Sequence, residues 1–550
     1  MPCLPLQPED GELWSEGKNM EIIKTDVLVV GGGGAGLRAA LAAREGGSKV
    51  CVAAKSPAGK STCTYLAAGL FSVAIEGMSK EEHIEETLQT GKGINVEKLV
   101  RVLAEDAPDR VLELEKMGLV GERSKGRFNC LGKPPSLGAP LTHLLTEIGH
   151  RQGVSFLPWI MIFDLILDEG EVVGALGFEF RQGKWIAIQS QAVVLANGGG
   201  GALYRRHDNP VRITGDGYAL AFRAGCRLQD MEFVQFMPTG LAEPGKPAIL
   251  IAPYLADIGR VVNSAGEDIL QKYQIHEKPV ALRARDSLSF AIFVEEIAGK
   301  KVFLDLRSLS EEDWAKNNVV RNQRNILSKH FGCAEKPLAI LPLCHHFMGG
   351  VVIDLNGSTD VPGLFAGGEV AGGVHGANRM GGNAFSEMLV FGFRAGRAAS
   401  QWRQNQNRGQ KAETLLKDRL EAAIGKYSKP TEGQPPRAMR KLIGEILWKK
   451  SGILRDKPGL EKALASLRKV QNENLPTLKK ETPKEILEAM EVENALLVAE
   501  MISRSALFRE ESRGAHFRRD FVKTEDPKWK GNIYLKKGGG DMQIRFCPIG

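Results

Sequence analysis

The stretch "GGGGAG" at residues 31–36 constrains the fold more than any other, because it stands between two apolar runs. Residues 22–30, "IIKTDVLVV", have the composition of a buried strand, and "LRAALAAREGG" after the glycines has that of a helix ending in glycine. "KVCVAA" then predicts a second strand. The order of strand, glycine turn, helix and strand predicts a βαβ unit in an α/β fold.

The glycines of this turn have the spacing Gly31-x-Gly33-x-x-Gly36. Gly31 permits a tight turn, Gly33 lets backbone N–H groups approach a pyrophosphate, and Gly36 lets the helix pack closely on the strand. The helix N-terminus favours the phosphates electrostatically. The second strand ends in "AAKS" (53–56), without the acidic residue that a plain NAD site places there. We therefore expect a dinucleotide site that is not a simple NAD site; a plain glycine turn is the alternative.

Length and composition indicate a multi-domain globular protein. A chain of 550 residues exceeds one hydrophobic core, and its 43% apolar and 25% charged content is typical of soluble proteins. The net charge of +7 comes largely from the C-terminal region, without the interleaved aromatics that would favour nucleic acid. No apolar run is long enough to cross a bilayer. We expect no nucleic-acid partner, and membrane contact only through partner subunits.

The eight cysteines form no C-x-x-C pair. This spacing argues against a zinc or iron–sulfur site within the chain and against a disulfide framework, so we expect no metal. Scattered single thiols are typical of a protein in the reducing cytoplasm.

Several long motifs occur in a fixed order along the chain and resemble one known family. The motifs are "AVVLANGGGGALY" (192–204), "TGDGYALAFRAG" (214–225), "DMEFVQFMPTG" (230–240), "LCHHFMGGVVID" (343–354), "GLFAGGEVAGGVHGANRMGGNAFSEMLVFGFRAG" (363–396) and "RSALFREESRGAHFRRD" (504–520). Together they closely resemble the flavoprotein subunits of succinate dehydrogenase and fumarate reductase, and the resemblance covers about residues 24–530. L-aspartate oxidase and adenylylsulfate reductase belong to the same superfamily.

The resemblance implies an α/β fold with a Rossmann-like FAD-binding domain, an inserted α+β capping domain and a C-terminal helical domain. The FAD-binding domain is expected in two pieces, 22–239 and 344–405, with the capping domain at 240–343. The helical domain is expected at 410–525, followed by a basic, irregular tail at 526–550.

By resemblance the cofactor is FAD, with Glu369 on its ribose. Several relatives attach FAD covalently through the histidine of an S-H-T segment, but Thr62 stands at that place. We therefore expect non-covalent FAD and a lower flavin potential, which favours alkene reduction. The expected cofactor-binding residues are Gly31, Gly33, Gly34, Ala35, Gly36, Lys55, Ser56, Ser61, Thr62, Gly69, Ala196, Asn197, Gly198, Asp216, Glu369, Arg379, Asn383 and Ala384.

The resemblance also implies the catalytic residues. Members of the family transfer a hydride between flavin N5 and an alkene carbon while cationic donors hold the adjacent carboxylate. Arg285 of "ARDSLSF", His345 of H-x-x-x-G-G and Arg379 of H-G-A-N-R match the family's positions. His346 is the alternative to His345 by register, and Asp286 is expected to be a helix-start residue.

The substrate pocket departs from the family's pattern at the second carboxylate. Met237 replaces the histidine of Q-F-H-P-T-G. Alignment of T-E-x-x-R-G-E-G puts Ile251, Ala252, Leu255 and Asp257 in place of its Thr, Glu, Arg and second Glu.

Losing two hydrogen bonds to a charged group would weaken dicarboxylate binding by about two to four decades. We expect a small substrate with one carboxylate, or another carbonyl activator, and an apolar or bulky remainder, in a pocket of Met237, Ile251, Ala252, His345, His346 and Arg379. Fumarate held by a rearranged capping loop is the alternative. The family's proton relay is also replaced, and Tyr254 or Asp257 would have to substitute for it.

Electrons must reach the flavin from outside, since the chain has no cluster motif. The S-R-G-A-H segment at 512–516 resembles the multi-subunit members, which implies that a separate iron–sulfur electron-transfer subunit is the partner. The competing hypothesis is a flavoprotein that only conducts electrons, and L-aspartate oxidase is a weaker one.

Overall fold

A computed structural model describes residues 20–132, 137–315, 318–402, 409–429, 431 and 433–549. Its strands are β1 (Met20–Val30), β2 (Val50–Ala54), β3 (Leu70–Ser72), β4 (Gly121–Ser124), β5 (Arg127–Cys130), β6 (Ser155–Pro158), β7 (Ile160–Asp168), β8 (Glu171–Glu179), β9 (Lys184–Leu195), β10 (Leu228–Gln229), β11 (Val234–Leu241), β12 (Arg260–Asn263), β13 (Val302–Asp305), β14 (Leu338–Phe347), β15 (Gly350–Val351), β16 (Leu364–Ala366), β17 (Leu454–Arg455), β18 (Phe517–Arg518), β19 (Gly531–Gly538) and β20 (Asp541–Pro548).

Helices connect and cover these strands. They are α1 (Gly34–Glu45), α2 (Cys63–Leu66), α3 (Lys80–Thr90), α4 (Glu97–Lys116), α5 (Ala139–Arg151), α6 (Asp216–Ala224), α7 (Leu255–Ile258), α8 (Ile269–Lys272), α9 (Val280–Arg283), α10 (Arg285–Ile297), α11 (Glu311–Ala315), α12 (Asn318–Phe331), α13 (Asn383–Gln401), α14 (Gly409–Tyr427), α15 (Pro436–Lys450), α16 (Lys457–Lys469), α17 (Pro483–Phe508) and α18 (Asp526–Trp529).

The predicted βαβ unit is confirmed and forms the centre of the largest sheet. Strands β1 and β2 pair in parallel, with Val27 opposite Val50, and β9 and β6 extend the sheet in parallel on either side. Residues 27–30 of β1, all of β2 and residues 192–195 of β9 are buried, as expected of parallel strands covered on both faces, whereas the edge strand β6 is partly exposed. Because these strands all point one way, their carboxyl ends bring the glycine turn and Ala196 of the following loop to one edge.

Strand β9 joins the parallel part of the sheet to an antiparallel meander, because it pairs with β1 along one side and with β8 along the other. Strands β7 and β8 form an antiparallel hairpin, and β8 pairs with the first half of β9. Helix α14 covers this meander, since Leu416 and Leu420 belong to its hydrophobic core.

The capping domain is a separate α+β unit with its own core. Strands β11, β14, β13 and β12 form a four-stranded antiparallel sheet, and residues between Leu241 and Ile340 form its hydrophobic cluster. The predicted segment 240–343 corresponds to this core, although both of its ends fall inside strands β11 and β14. These two strands therefore carry the chain directly from the FAD-binding domain into the cap.

The C-terminal part contains the expected helices, but the tail is not irregular. Helices α15, α16 and α17 pack together, whereas β19 and β20 form an antiparallel hairpin. Strand β19 also pairs with β10, with Leu228 opposite Leu535. The many lysines of the tail obscured this strand in the sequence, because they follow a short alternation in which Ile533 and Leu535 are the buried apolar residues.

None of the helices in the described ranges combines the length and the apolar composition that crossing a bilayer requires.

The α/β class with an inserted α+β cap and a helical domain agrees with the prediction.

Candidate active site

One cavity of about 1470 Å³ lies between the carboxyl edge of the large sheet and the capping domain. Most of the predicted site residues line it. The predicted residues on its surface are Gly31, Gly33, Gly34, Ala35, Lys55, Ser56, Ser61, Thr62, Ala196, Asn197, Gly198, Asp216, Met237, Ala252, Arg285, His345, His346, Glu369, Arg379 and Ala384.

Three residues expected to bind the cofactor are not on the cavity. Gly36 lies where a Cβ atom would stand 1.9 Å from the carbonyl oxygen of Gly31, so it serves helix–strand packing. Gly69 forms a turn with φ of 67°. Asn383 is fully buried and bonds His83 (2.9 Å) and Thr87 (2.9 Å). These residues shape the domain, and the structure does not bring them to the cavity surface.

Ile251 is also not on the cavity, in contrast to the predicted pocket. Its backbone N–H donates to the carbonyl of Thr239 (2.9 Å) and its carbonyl accepts from the Thr239 hydroxyl (2.6 Å). These bonds fix an extended segment in which neighbouring side chains point in opposite directions. Ile251 therefore lies in the core of the cap, while Leu250 and Ala252 face the cavity.

The glycine turn forms a cradle that fits the phosphates of a dinucleotide. Gly31 has φ of 121°, and a Cβ atom there would stand 2.2 Å from the carbonyl oxygen of Ala196. Helix α1 begins directly behind the turn, so its N-terminal N–H groups open on the cavity. Across the cradle, Gly198 has φ of 76° and no atom within 4 Å of a Cβ position among the described residues. Backbone can approach a ligand closely at these positions.

One end of the cavity contains a buried ion cluster. The Lys55 ammonium lies 2.6 Å from Asp216 and 2.9 Å from Glu491. Burial lowers the pKa of Lys55, but the two carboxylates outweigh it and raise the pKa above its usual value. Glu491 belongs to α17, so the C-terminal domain contributes to this end of the cavity. Sequence reasoning missed Glu491, and it missed Trp159, which lines the same end with φ of 65°.

Two further predicted residues on the cavity, Thr62 and Glu369, are held by hydrogen bonds from nearby backbone. Thr62 caps α2 by accepting a hydrogen bond from the Tyr65 N–H (3.1 Å). Glu369 accepts from the Phe347 N–H (2.9 Å), and burial raises the pKa of its carboxyl to about 7.

Two arginines occupy the other end of the cavity. Arg285 and Arg379 are 4% exposed each, and Arg285 donates to the Arg379 carbonyl (2.6 Å). Neither guanidinium forms an ion pair with a described residue, and the Nε atoms of both are buried without a hydrogen-bond partner. Burial, and then Arg285, lower the pKa of Arg379 to about 9. A pair of buried, uncompensated cations is strongly stabilised by an anionic group between them.

Gln235 holds this arginine pair in position. Its side-chain oxygen accepts from Arg379 Nη2 (2.9 Å), and its nitrogen donates to the Arg379 carbonyl (3.2 Å) and to Asn378 (2.8 Å). Gln235 and Met237 are two residues apart on β11 and therefore share a face, whereas Phe236 packs on Tyr204 behind it. This alternation is a signal from which Gln235 could have been found in the sequence.

The two candidate histidines, both on the cavity, have different surroundings. His346 is 5% exposed, and burial, followed by the charge of Arg379, holds its pKa well below the usual range. His375 packs edge-on against it, with a pKa of about 3 caused by burial and then Arg379. His345 has its side chain 25% exposed and its Nδ1 atom 2.7 Å from the Asp208 carboxylate. Sequence reasoning did not single out Asp208.

The capping side of the cavity is largely apolar. Among described residues it presents Ala248, Ile249, Leu250, Ala252, Pro253, Tyr254, Pro279, Val320, Gln323, Ile326 and Leu327. Asp257 is not on this surface, because it accepts from the Val280 N–H (2.6 Å) at the start of α9. Of the two residues considered for a proton relay, only Tyr254 therefore faces the cavity.

Comparison with known proteins agrees with this geometry. A family model described as FAD binding domain matches residues 26–385, and one described as fumarate reductase flavoprotein C-term matches residues 440–549. A fumarate reductase (CoM/CoB) subunit from Methanothermobacter marburgensis is 33% identical over 94% of this chain and 98% of its own length.

Two further relatives are similar over nearly the whole chain. L-aspartate oxidase from a Nostoc species is 30% identical over 93% of both proteins. The flavoprotein subunit of Escherichia coli quinol fumarate reductase, in a solved structure, is 27% identical, covers 96% of this chain and 97% of its own, and superposes with a TM-score of 0.85. The cofactor is FAD, and the chain belongs to the FAD-dependent oxidoreductase family of fumarate reductase and succinate dehydrogenase flavoproteins.

Proposed function

We propose that this protein transfers a hydride between the flavin and a carbon–carbon double bond next to a carboxylate, and that its substrate carries one carboxylate and an apolar remainder. The observation that carries the proposal is the contrast across the cavity. Arg285 and Arg379 supply two buried cations that form no ion pair with a described residue, whereas the described part of the cap, Arg285 aside, presents no charged side chain to the cavity. A second carboxylate would be desolvated against this apolar surface.

The protein's own residues would bind and polarise the substrate. Bound FAD supplies the hydride donor and acceptor. The guanidinium groups of Arg285 and Arg379 would hold the activating carboxylate, on which negative charge increases as the hydride reaches the alkene. Because Gln235 fixes Arg379 before substrate arrives, little reorganisation is needed. Arg285, which the resemblance implies is catalytic, would also protonate the neighbouring carbon, and Tyr254 is the cavity residue available to help resupply its proton.

The test is reoxidation of dithionite-reduced holoprotein under anaerobic conditions. Fumarate, crotonate, acrylate and cinnamate are added separately, and flavin absorbance is followed. We expect crotonate or cinnamate to reoxidise the flavin at least tenfold faster than fumarate. Faster oxidation by fumarate would instead favour a fumarate reductase with a rearranged cap.

A non-catalytic role as an electron conduit is the second candidate. It is favoured by the loss of the family's carboxylate ligands at Met237 and Ala252. The intact arginine pair, with its supporting Gln235, favours catalysis. The same experiment separates the two, because a conduit flavin would be oxidised by none of the four acids.

We also propose that FAD is bound without a covalent link, because Thr62 occupies the tether position and its hydroxyl is engaged in capping α2. Acid precipitation should therefore leave a colourless pellet and a yellow supernatant. A yellow pellet would contradict this.

We propose further that a separate iron–sulfur subunit delivers electrons, as in quinol fumarate reductase by resemblance, and that the protein works in the cytoplasm and contacts a membrane only through partners. Co-purification of the tagged chain from its native cells, with iron and acid-labile sulfide measured in the complex, would test this.

A further inference from the structure

The hydrogen bonds that hold Arg379 do not end at Gln235 but continue to the capping domain. The side-chain oxygen of Asn378 accepts from Gln235 Nε2 (2.8 Å) and from the Arg379 backbone N–H (2.9 Å). The side-chain nitrogen of Asn378 donates to the carboxylate of Asp286, in the first turn of α10. The side chains of Asp286, Asn378 and Gln235, here called the amide bridge, therefore join the cap to the guanidinium of Arg379.

We propose that Asp286 and Asn378 are positioning residues, and that α10 thereby sets the place of both arginines at their end of the cavity. The helix carries Arg285 directly, and it holds Arg379 through the amide bridge. This rests on the proposed function, in which the two guanidinium groups bind the substrate carboxylate. It adds two residues that do not themselves lie on the cavity surface.

The two ends of the amide bridge fix its direction. A guanidinium only donates hydrogen bonds, and an ionised carboxylate only accepts them. Each amide between them must turn its nitrogen towards the carboxylate and its oxygen towards the guanidinium, and both amides are oriented in this way. The Gln235 oxygen that accepts from Arg379 Nη2 (2.9 Å) is thus held in place from the Asp286 end.

Burial increases the effect of breaking the amide bridge. Asp286 and Asn378 are partly exposed at the boundary between the domains, whereas Gln235 is fully buried and Arg379 is 4% exposed. A buried amide that loses a partner leaves a polar atom unsatisfied, and that loss costs more than one at the surface. Removing the carboxylate should therefore free the Asn378 amide to turn and loosen the buried groups beyond it.

A simpler role for Asp286 is that of a nearby negative charge for Arg285. The two charges interact, and Lys92 also interacts with Asp286. Among the residues that the structure describes, however, no hydrogen bond or ion pair joins Asp286 to either cation, whereas Asn378 bonds it directly. The contacts therefore favour the hydrogen-bonded role, and two substitutions at Asp286 separate it from the electrostatic one.

The test uses holoprotein and whichever of the four acids reoxidises the wild-type flavin fastest. Its reoxidation rate is measured at saturation, and its binding to the oxidised protein is measured from the flavin spectrum. We expect Asp286→Ala to slow reoxidation about 10- to 100-fold, the effect of misplacing a bound group by about 1 Å. Asp286→Asn keeps an acceptor for Asn378 and should lose only severalfold. An equal loss in the two variants would assign Asp286 the electrostatic role and overturn the proposal.

A double variant shows whether the effect passes through the amide bridge. Gln235→Met removes the last amide with little change in side-chain length, and Asp286→Ala removes the carboxylate. If both act on Arg379 by one route, the double variant should be no slower than the slower single variant, because residues of one hydrogen-bond network are not additive. Losses that multiply would show two independent effects, which a merely structural role predicts, and would overturn the proposal.

Ser287→Ala is the matched control, because Ser287 is exposed on the same turn of α10. Flavin content and thermal unfolding of each variant show whether the fold is retained. If Asp286→Ala damages the fold, Asn378→Ala takes its place in the double variant, because it cuts the amide bridge one step further on.

The outcomes separate this inference from the proposed function. If the wild type reduces an enoate and Asp286→Ala does so at the rate of the control, the proposed function stands and the amide bridge has no positioning role. If the wild type binds an acid without reducing it, the proposed function fails, and binding constants replace the rates in the same comparisons.

If the wild type neither binds nor reduces any of the acids, hydrogen exchange of residues 375–382, measured by mass spectrometry, decides on the amide bridge. Faster exchange in Asp286→Ala than in Ser287→Ala supports it, because the Arg379 N–H is bonded within this segment. Equal exchange in the two variants overturns it.

Discussion

The two walls of the cavity differ in what they offer a ligand. The wall from the FAD-binding domain and its junction with the cap contains buried cations and a histidine–carboxylate pair, all fixed by hydrogen bonds. The wall from the body of the cap is built from Ile249, Leu250, Ala252 and their neighbours, and its backbone groups are bonded by other backbone groups and by the Gln323 side chain. The comparison teaches that the charged groups and the apolar surface lie on different walls, although the cap contributes to both, since Arg285 begins its helix α10.

The division follows from the strands that join the domains. Gln235 and Met237 are neighbours on one face of β11, yet Gln235 supports the arginine pair and Met237 begins the apolar wall. Changes to one wall should therefore affect catalysis, and changes to the other should affect which acid is preferred.

The largest effect is expected from Arg379→Lys. Lysine keeps the charge but loses the planar fork that holds a carboxylate and the bond to Gln235. Reoxidation of the reduced flavin by the best enoate should slow about 100- to 1000-fold, the usual effect of removing one such donor. Arg394→Lys is the control, since Arg394 pairs with Asp106 (2.7 Å) outside the cavity. A loss below threefold would mean that Arg379 is not part of the reacting wall.

Met237→His should add a polar group to the apolar wall. A new hydrogen bond to a second carboxylate would raise the rate with fumarate relative to crotonate by about 10- to 100-fold. Met237→Leu keeps the wall apolar and should leave this ratio unchanged. An unchanged ratio in the histidine variant would show that Met237 does not face the substrate.

The pH dependence of stability should also distinguish the two walls. Glu387 lies under the flavin-side wall and accepts from the Gly368 N–H (3.1 Å), and burial raises the pKa of its carboxyl to about 8. The folded protein therefore holds a proton that the unfolded chain has lost above its usual pKa of 4.5. Stability contributed by this group is present at low pH and lost as pH rises towards 8.

The free energy of unfolding of the wild type should fall as the pH rises from 6.5 to 8. In Glu387→Gln we expect this fall to be smaller by about 1 to 2 kcal/mol. Equilibrium denaturation at several pH values measures this. Glu413→Gln, on the surface of α14, is the control. Parallel pH profiles for wild type and the Glu387 variant would contradict a neutral Glu387.

The smallest effect is expected from Gln323→Leu. Gln323 accepts from the Ala252 N–H (2.7 Å) and donates to the Leu250 carbonyl (3.0 Å), so it fixes the loop of the apolar wall. Losing two neutral hydrogen bonds should weaken cinnamate binding severalfold. The dithionite reduction of the flavin should stay unchanged. Gln271→Leu, on an exposed position of α8, is the control. If Gln323→Leu also changed the dithionite reduction of the flavin, the two walls would not act independently.

The sequence alone determined the domain class and most of the cofactor cradle. The order of strand, glycines and helix leaves few folds, because the turn at Gly31 requires a left-handed backbone that other residues rarely adopt. The arginines could also be predicted, since Arg285 and Arg379 stand in long motifs that resemble the family. Long motifs carry such information because many residues must match at once.

Only the tertiary structure decided which side chains meet. Asp208 and His345 are 137 residues apart, and Lys55 and Glu491 are 436 apart, so local pattern says nothing about either pair. It also decided that Ile251 faces the core of the cap, because side-chain direction in an extended segment depends on which backbone groups are bonded across it. The hairpin in the tail was missed for a related reason, since its pairing with β10 is long-range.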